Sequence, residues 1–352
     1  MPSSNAPRLS FTSDNVAGAS PEIIDAISRC NEGFDIPYGA DACTARVETR
    51  LADIFEHEVS VFLVPTGSAA NALCLGVMTP PWGNVLCHPG SHINNDECGA
   101  PEFYTNGAKL VSVDGENCKI DPTLLREQAH RKVGDVHSTQ QACVSITQAT
   151  EVGSVYSVEE IGALGEVCRE SGLGLHMDGS RFANALVSMG CTPAQMTWQA
   201  GVDALSFGAT KNGVLAGEAI ILFEATRAKE LAYRRKRGGH LFSKMRLLSA
   251  QMEAYLKNDL WLNNARVANA MAQRLATGLH KLPGIELQGP TSANILFCKL
   301  PVPVIDGLQA QGFGFYRDRW GPEVIRLVTS WATREGDVDH LLNAVHSLIA
   351  PA

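Results

Sequence analysis

The sequence predicts an α/β protein with a mostly parallel sheet, helices on both of its faces, and a smaller C-terminal α+β domain. Short runs of apolar and β-branched residues alternate with segments of helical length before residue 245, which is typical of parallel sheets. The 352 residues, 45% of them hydrophobic and 19% charged, suffice for one large and one smaller domain. After residue 245 the pattern changes to a long helical stretch followed by short strands.

Seven short segments are predicted as strands of the large domain. They are residues 59–65, 84–89, 108–114, 142–147, 172–178, 202–207 and 218–223. The segments between most of them are long enough for helices, as a parallel sheet requires. One helix has clear limits, because Ser157 is placed to cap it, Glu160 to complete a capping box, and Gly172 to end it.

The chain divides into three predicted parts. Residues 1–13 form an N-terminal segment, residues 14–245 the large domain, and residues 246–352 a long helix with the small domain. Apolar residues recur at helical spacing over 246–282, which predicts one long helix there. The remaining elements are short strands within 284–290, 293–300 and 324–331 and a closing helix over 336–349.

Charge and cysteine content exclude several classes of function. A net charge of -8 disfavours nucleic acid or an anionic membrane as a partner, because both would repel the chain. No stretch reaches the roughly 20 apolar residues of a membrane span, and residues 1–10 lack the order of a signal peptide. The ten cysteines occur singly, without metal-site spacing. We therefore expect a cytoplasmic protein with reduced thiols and no metal site.

Residues 63–76 combine the end of a strand, the turn Thr66-Gly67-Ser68 and a helix of small residues. The N-terminus of a helix offers free N–H groups and a positive dipole, so such a turn binds anions, and Gly67 lets a phosphate approach closely. The alternative is an ordinary turn in which Ser68 caps the helix. The absence of GxGxxG and GxxxxGK[ST] motifs argues against a dinucleotide or a nucleoside triphosphate.

Two ionisable residues follow other predicted strands, at the edge of the sheet where ligands bind in such folds. Asp178 ends the strand over 172–178, and a carboxylate there needs a cation. Arg181 is one candidate, in which case the two form a plain ion pair. Lys211 follows the strand over 202–207 and a short turn. Its amine is either that of a surface lysine or, in a partly desolvated pocket, a nucleophile that forms a Schiff base.

The phosphate turn, Asp178 and Lys211 together match the requirements of pyridoxal 5'-phosphate. This cofactor needs an anion site for its phosphate, a carboxylate beside its pyridine nitrogen, and a lysine for its aldehyde. His92 follows the strand over 84–89 and is placed to cover one face of the ring, although a lone histidine there would also suit an ordinary loop. The order of these residues predicts an enzyme that uses pyridoxal phosphate.

Over nearly its whole length the sequence resembles the L-threonine aldolases, which have the aspartate aminotransferase fold (fold type I, PLP-dependent transferase-like). The resemblance lies in TSDN (12–15), IPYGAD (36–41), PTGSAANAL (65–73), SHINNDECGAPE (91–102), VHST (136–139), LHMDGSRFANA (175–185), SFGATKNG (206–213) and IRLVTSW (325–331). It implies that Gly67 and Ser68 hold the cofactor's phosphate, that Asp178 pairs with the pyridine nitrogen, and that Lys211 carries the Schiff base.

The resemblance also implies a reaction and its substrate. A β-hydroxy-α-amino acid such as L-threonine or L-allo-threonine is cleaved between Cα and Cβ to glycine and an aldehyde. Arg181 is expected at the cofactor's 3'-oxygen or the substrate carboxylate, and Ser13 and Arg326 at that carboxylate.

Further roles follow from the same resemblance. His92 and His137 are both candidates for the base that takes the β-hydroxyl proton, and Glu97 is expected to support that base. Tyr38 is expected in the active site of a neighbouring subunit, within a homodimer or a dimer of dimers.

Some stretches depart from the family pattern. Lys211 is followed by Asn-Gly rather than Gly-Leu, Ser180 replaces a common alanine, and residues 147–153 (TQATEVG) replace a stretch that usually carries an acid and an asparagine. The basic run RRKRGGH matches only in part, which leaves the roles of Lys236 and Arg237 open. A bulkier substrate such as phenylserine is therefore an alternative. β-Elimination or transamination with the same cofactor, and a binding protein without activity, are the competing interpretations.

Overall fold

The computed structural model describes residues 9–349, which form two sheets surrounded by helices and joined to a short two-stranded pair. The strands are β1 (Leu9–Ser10), β2 (Ser60–Val64), β3 (Gly83–Cys87), β4 (Lys109–Ser112), β5 (Gln140–Thr147), β6 (Gly174–Gly179), β7 (Ala204–Phe207), β8 (Glu218–Leu222), β9 (Glu286–Gln288), β10 (Ile295–Lys299), β11 (Phe313–Gly314), β12 (Tyr316–Arg317) and β13 (Val324–Val328). The α-helices are α1 (Pro21–Cys30), α2 (Ala42–Phe55), α3 (Gly67–Met78), α4 (His92–Asn95), α5 (Ala100–Tyr104), α6 (Pro122–Ala129), α7 (Val158–Ser171), α8 (Phe182–Met189), α9 (Ala228–Arg237), α10 (Arg246–Leu256), α11 (Leu260–His280), α12 (Val302–Ala310) and α13 (Glu335–Ile349).

The large sheet has seven strands in the order β2-β8-β7-β6-β5-β3-β4. Strand β8 is antiparallel to both of its neighbours, and every other adjacent pair is parallel. Strand β2 therefore runs in the same direction as β7, and its carboxyl end lies at the same edge as those of β6 and β7. Each of the seven predicted segments overlaps one of these strands, so the prediction of a mostly parallel sheet is confirmed.

Helices cover both faces of this sheet. Leu175 and Met177 of β6 point into the core under α7, whereas Val85 and Cys143 of neighbouring strands pack on the side of α3. Because side chains alternate along a strand, His176 and Asp178 of β6 face α3 rather than α7. The register of β6 thus decides that Asp178 meets the helix that follows the predicted phosphate turn.

Helix α7 has the predicted limits. The Ser157 hydroxyl accepts a hydrogen bond from the Glu160 N–H (3.1 Å), and the Glu160 carboxylate accepts one from the Ser157 N–H (2.7 Å). Gly172 ends the helix in the left-handed conformation (φ 68°). The predicted capping box and glycine C-cap are confirmed.

The single long helix predicted over 246–282 is wrong, because the structure divides it into α10 and α11. A 3-10 turn, Lys257–Asp259, separates the two helices. Asn258 (φ 52°) and Asp259 (φ 54°) have left-handed backbone conformations, which asparagine and aspartate tolerate better than most residues. The helical spacing of apolar residues continues through the turn, so the sequence pattern gave no sign of it.

The small domain is an antiparallel sheet of order β12-β13-β10-β9 with helices packed on one side. Its core includes Leu275 and Leu279 from the second half of α11, whereas Trp261 from the first half belongs to the larger core. Strand β1 pairs with β11, and Phe11 is buried in the small core. We therefore propose that the small domain consists of two parts of the chain. One is β1, and the other starts in the middle of α11.

Candidate active site

Three strands that run in the same direction, β2, β6 and β7, end at one edge of the large sheet and present the predicted cofactor residues. Gly67 begins α3 directly after β2, Asp178 lies near the end of β6, and Lys211 lies in a 3-10 turn, Thr210–Asn212, after β7. The first N–H groups of a helix have no partner within it, so the turn at Gly67 and Ser68 offers donors to an anion. The Thr66 side chain accepts a hydrogen bond from the Ala69 N–H (3.2 Å). Thr66 is therefore the cap of α3, and the alternative that Ser68 caps it is wrong.

Asp178 is a buried carboxylate that is held as an anion. Ser180 donates to one of its oxygens through both its hydroxyl (2.6 Å) and its N–H (3.0 Å). Burial favours the neutral acid, but the hydrogen bond from Ser180 and the charge of Lys211 outweigh it and hold the pKa of Asp178 below its usual value. Ser180, which departs from the family pattern, thus stabilises the charge that a pyridinium requires.

The second oxygen of Asp178 belongs to a network that reaches His92. The Asn71 side-chain nitrogen lies 3.0 Å from Asp178 Oδ2 and 2.8 Å from Glu97 Oε1. The same Glu97 oxygen lies 2.8 Å from His92 Nδ1. The hydrogen bond to Glu97 raises the pKa of His92, with burial opposing it. His92 Nε2 has no hydrogen-bond partner within residues 9–349 and can contact a ligand.

The segment around Lys211 is fixed by its neighbour Asn212. The Asn212 side chain donates to the Tyr255 hydroxyl (2.7 Å) and to the Trp261 carbonyl (2.8 Å). The Asn264 side chain donates to the Asn212 carbonyl (2.9 Å). Because Asn212 is buried and Lys211 half-buried, the backbone is held from within while the amine side chain remains available. The Asn-Gly sequence after Lys211 therefore has a structural role.

Arg181 does not pair with Asp178, so the plain ion pair considered from the sequence is wrong. Its guanidinium binds both oxygens of Asp14, with Nε at 2.8 Å and Nη2 at 3.0 Å. Ser13, another predicted site residue, caps the short turn that carries Asp14 and donates weakly to its carboxylate (3.3 Å). Asn294 of the small domain also donates to Asp14 (3.1 Å). Arg181 and Ser13 therefore meet at a junction of both domains.

Arg326 lies on β13, on the small-domain side of this junction. Its Nε is buried without a hydrogen-bond partner within residues 9–349, and its Nη1 lies 3.5 Å from the Thr12 carbonyl. Burial and repulsion from Arg181 lower the pKa of Arg326 to about 10. The Trp320 ring lies against the guanidinium, 5.6 Å from centre to centre. A buried guanidinium with an unpaired donor and a second cation nearby is suited to a carboxylate.

His137 lies at the opposite edge of the sheet. It is exposed and precedes β5, whereas Thr147 at the far end of β5 pairs with Asp178. The seven residue steps from Gln140 to Thr147 cover about 23 Å of extended chain. His137 therefore cannot reach a substrate in its own subunit, where His92 is the remaining candidate base.

Tyr38 lies outside this cluster, in the loop between α1 and α2. Its side chain is 48% exposed, and the Lys236 ammonium lies 4.8 Å from the centre of its ring. Lys236 and Arg237 belong to the last turn of α9. The ring of Tyr38 is thus available to a neighbouring molecule.

Sequence reasoning missed Asp14, Asn71 and Glu151. Asp14 and Asn71 stand within quoted motifs but received no role. An asparagine among small apolar residues in the first turns of α3 was a usable signal for Asn71. Glu151 lies in the loop after β5, where its charge raises the pKa values of His92 and Arg181, and only the folded loop brings it there.

Comparison with known proteins agrees with this geometry. A model of the β-eliminating lyase family matches residues 10–300. A low-specificity L-threonine aldolase from a Pseudomonas species is 42% identical over 340 residues, covering 97% of this chain and 98% of the relative. A second one, from Pseudomonas aeruginosa, is 42% identical over 323 residues, covering 92% and 93%. The structure of threonine aldolase from Leishmania major matches with a TM-score of 0.90 and 29% identity, covering 97% of this chain and 100% of that chain.

These matches extend through both domains and include every segment that contributes a residue to the cluster around Asp178 and Lys211. The chain therefore belongs to the β-eliminating lyase family and, within it, to the L-threonine aldolases.

Proposed function

We propose that this protein is a pyridoxal-phosphate-dependent aldolase that cleaves L-threonine, L-allo-threonine or a related β-hydroxy-α-amino acid to glycine and an aldehyde. One observation carries the proposal. The turn at Gly67, the buried anion of Asp178, the amine of Lys211 and the His92–Glu97 pair meet at one edge of the sheet, in a chain that belongs to this family.

The residues at this edge fit pyridoxal phosphate. The N-terminus of α3, at Gly67 and Ser68, would hold the phosphate. Asp178 is kept ionised and would hold the proton of the pyridine nitrogen. Lys211 forms no ion pair with any residue in the described range 9–349, so its amine is available to the aldehyde. When bound, the cofactor withdraws electrons from the Cα–Cβ bond that breaks.

The arginines on the other side of the cluster would fix the substrate. Arg326 has a buried, unpaired Nε donor and would bind the α-carboxylate, with Ser13 nearby. Arg181 is already paired with Asp14, so it adds positive charge but has fewer free donors. Holding the carboxylate at Arg326 orients the rest of the amino acid, which places the β-hydroxyl toward the free nitrogen of His92.

His92 is the proposed base for the β-hydroxyl proton. Its Nδ1 is bound to Glu97 at 2.8 Å, which leaves Nε2 toward the ligand. The Glu97 carboxylate stabilises the imidazolium that forms when His92 takes the proton. His92 can then donate this proton to the product, so the same group acts first as a base and then as an acid.

We also propose a homodimer or a dimer of dimers in which Tyr38 enters the neighbouring active site. The loop that carries Tyr38 exposes two further apolar side chains, Phe34 and Ile36. Exposed apolar groups that are close together are typical of a surface that another subunit covers. Size-exclusion chromatography with light scattering tests the assembly, and a monomer would contradict it.

The reaction is tested by its products. Purified protein is incubated with L-threonine, L-allo-threonine and phenylserine, and the aldehyde and glycine are measured. Equal amounts of aldehyde and glycine support the proposal, whereas ammonia with a keto acid would identify β-elimination and a keto acid without ammonia would identify transamination. The comparison of rates across the three substrates decides whether the small or the aromatic side chain is preferred.

The role of Lys211 is tested by substitution and by borohydride reduction. We expect Lys211→Ala to fold but to lose all turnover, because no amine remains to hold the aldehyde. The exposed Lys281 provides a matched control, and Lys281→Ala should retain full activity. Borohydride should fix the cofactor to the peptide that contains Lys211. Attachment elsewhere, or no uptake of cofactor, would refute the assignment.

A further inference from the structure

A single amide group lies between the two buried carboxylates of the candidate site. The Asn71 side-chain nitrogen donates to Glu97 Oε1 at 2.8 Å and to Asp178 Oδ2 at 3.0 Å. Asn71 and Asp178 are each 1% exposed, and the Glu97 side chain is fully buried. An amide NH₂ has two hydrogens, and here each of them is used by a different carboxylate.

This arrangement answers an electrostatic problem. One nitrogen of His92 and one oxygen from each of Glu97 and Asp178 lie within 4.8 Å of one another. Two like charges at this separation in a buried place repel strongly. The Asn71 amide is placed between them and presents its positive end to both. The orientation is determined by the network, because the reversed amide would turn its oxygen toward two anions.

The backbone position of Asn71 ties this network to the rest of the site. Asn71 lies on α3, four residues after Gly67, so the helix that begins at the phosphate turn also carries the bridging amide. Its Oδ1 is buried without a partner within residues 9–349. A buried polar atom without a partner carries a cost, which indicates that the position is kept for the two hydrogen bonds made by the nitrogen.

We propose that Asn71 is a positioning residue that links the His92–Glu97 pair to the charge state of Asp178. The inference rests on the proposed function for the roles of His92 and Asp178. When the charge of Asp178 is neutralised, the Asn71 amide loses its stronger acceptor on that side and binds Glu97 Oε1 more firmly. Glu97 then attracts the proton of His92 less strongly.

The linkage has a direction. Neutralising Asp178 weakens proton binding by His92, so a cation that binds at Asp178 leaves His92 unprotonated over a wider pH range. By reciprocity, protonated His92 and a cation at Asp178 each weaken the binding of the other. The remaining charges that face His92 are those of Lys211 and Glu151. Neither of them forms a hydrogen bond with Asn71, so they act equally with and without the bridge.

The test measures His92 directly and needs no turnover. The imidazole of His92 is titrated by NMR in the full-length, cofactor-free chain, in wild type, Asp178→Asn, Asn71→Leu and the double variant. We expect Asp178→Asn to weaken proton binding by His92 about tenfold, and this change to fall to less than half in the Asn71→Leu background. An equal change in both backgrounds would overturn the proposal, because direct attraction through space would then explain it.

Two further variants keep the test decisive. If Asn71→Leu does not fold, Asn71→Ala takes its place in the same cycle, with the same expectation. Asn84→Leu is the matched control. Asn84 is also a buried asparagine with an unpartnered Oδ1, and its nitrogen donates to Thr139 at 3.3 Å, away from the site. The control should leave the titration of His92 and its response to Asp178→Asn unchanged. If Asn84→Leu also halves the response of His92 to Asp178→Asn, the effect comes from a general loosening of the fold. That result would overturn the assignment to Asn71.

The loaded enzyme provides a separate measurement. The affinity for pyridoxal phosphate should fall as His92 becomes protonated, and this pH dependence should weaken in Asn71→Leu. If no variant cleaves threonine but the NMR cycle shows the coupling, the proposed reaction fails and the linkage stands. If threonine is cleaved but the coupling is equal in both backgrounds, only the linkage fails.

Discussion

Asp14 and Arg181 form a buried, two-point ion pair that joins the short turn Asp14–Val16 to the start of α8. The Arg181 guanidinium lies 2.8 Å and 3.0 Å from the two oxygens of Asp14. The attraction of Arg181 and of Lys211 outweighs burial and lowers the pKa of Asp14. Because Asn294 of the small domain binds the same carboxylate, the pair holds together parts of the chain that are remote in sequence.

We predict that Asp14→Ala destabilises the fold strongly, because Arg181 would be left as a buried and unpaired charge. Breaking a buried pair in this way costs about 3–5 kcal/mol. Urea unfolding at pH 7 measures the change. Since the pKa of Asp14 is lowered in the folded chain, this stabilisation is present above the unfolded pKa and is lost as the pH falls toward the folded value.

The pair Arg274–Asp339 is the matched control for this prediction. It has the same two-point geometry, with distances of 3.0 Å and 2.9 Å, but lies on the surface between α11 and α13. Solvent screens such a pair, so Asp339→Ala should change stability far less than Asp14→Ala. Similar losses in the two variants would show that burial does not govern the strength of the Asp14–Arg181 pair.

This pair also marks the limit of what the sequence could predict. Asp178 and Lys211 were found because each lies at or just after the carboxyl end of a predicted strand, and position relative to a strand end can be read locally. The partner of Arg181 lies 167 residues earlier in the chain, and no local pattern distinguishes Asp14 from Asp178 as that partner. The prediction that His137 is a candidate base in its own subunit was wrong for the converse reason. It precedes its strand, so it lies at the amino edge of the sheet.

The pH dependence of cleavage should depend on the His92–Glu97 pair. Glu97 raises the pKa of His92, so at low pH the imidazole is protonated and cannot act as a base. We expect kcat/KM to rise with pH and to level off above this pKa. In Glu97→Gln the pKa of His92 should fall, so the acidic limb of the profile moves to lower pH while the maximal rate decreases.

Glu102→Gln is the control for the pH profile. Glu102 lies on α5, close in sequence to Glu97, but makes no side-chain hydrogen bond to His92. Its substitution should leave the acidic limb where it is in wild type. If Glu97→Gln also leaves the limb unmoved, the base is a group other than His92.

Glu218 gives a second pH prediction, on stability. Burial raises the pKa of this carboxyl, at the start of β8, to about 7. Between pH 4.5 and pH 7 the unfolded chain releases this proton while the folded chain retains it. The contribution of Glu218 to stability is therefore fully present below the unfolded pKa and is lost as the pH rises through the folded pKa.

We predict that Glu218→Gln removes this dependence. Glutamine stays neutral and can still accept the hydrogen bond from the Ala209 N–H, which is 2.7 Å long in wild type. Relative to wild type, the variant should gain up to about 3 kcal/mol of unfolding free energy between pH 5 and pH 8. Urea unfolding of both proteins at the two pH values measures the gain. If the unfolding free energies of the two proteins change by the same amount between these pH values, Glu218 is not a buried and largely neutral carboxyl.

Gly208 makes a prediction about the close contact between the turns after β6 and β7. A Cβ at this position would lie 2.5 Å from the Ser180 carbonyl oxygen and 2.7 Å from that of Gly179. Gly208→Ala must therefore push apart the two turns that carry Ser180 and Lys211. Such overpacking costs about 1–3 kcal/mol, and cofactor affinity should fall because the distance between Asp178 and Lys211 changes.

Gly162, within α7, is the matched control, because no atom lies within 4 Å of its added Cβ. Gly162→Ala should instead stabilise the chain by about 0.5–1 kcal/mol without changing cofactor affinity. If Gly208→Ala and Gly162→Ala both bind the cofactor as tightly as wild type, the spacing of the turns after β6 and β7 does not determine cofactor affinity.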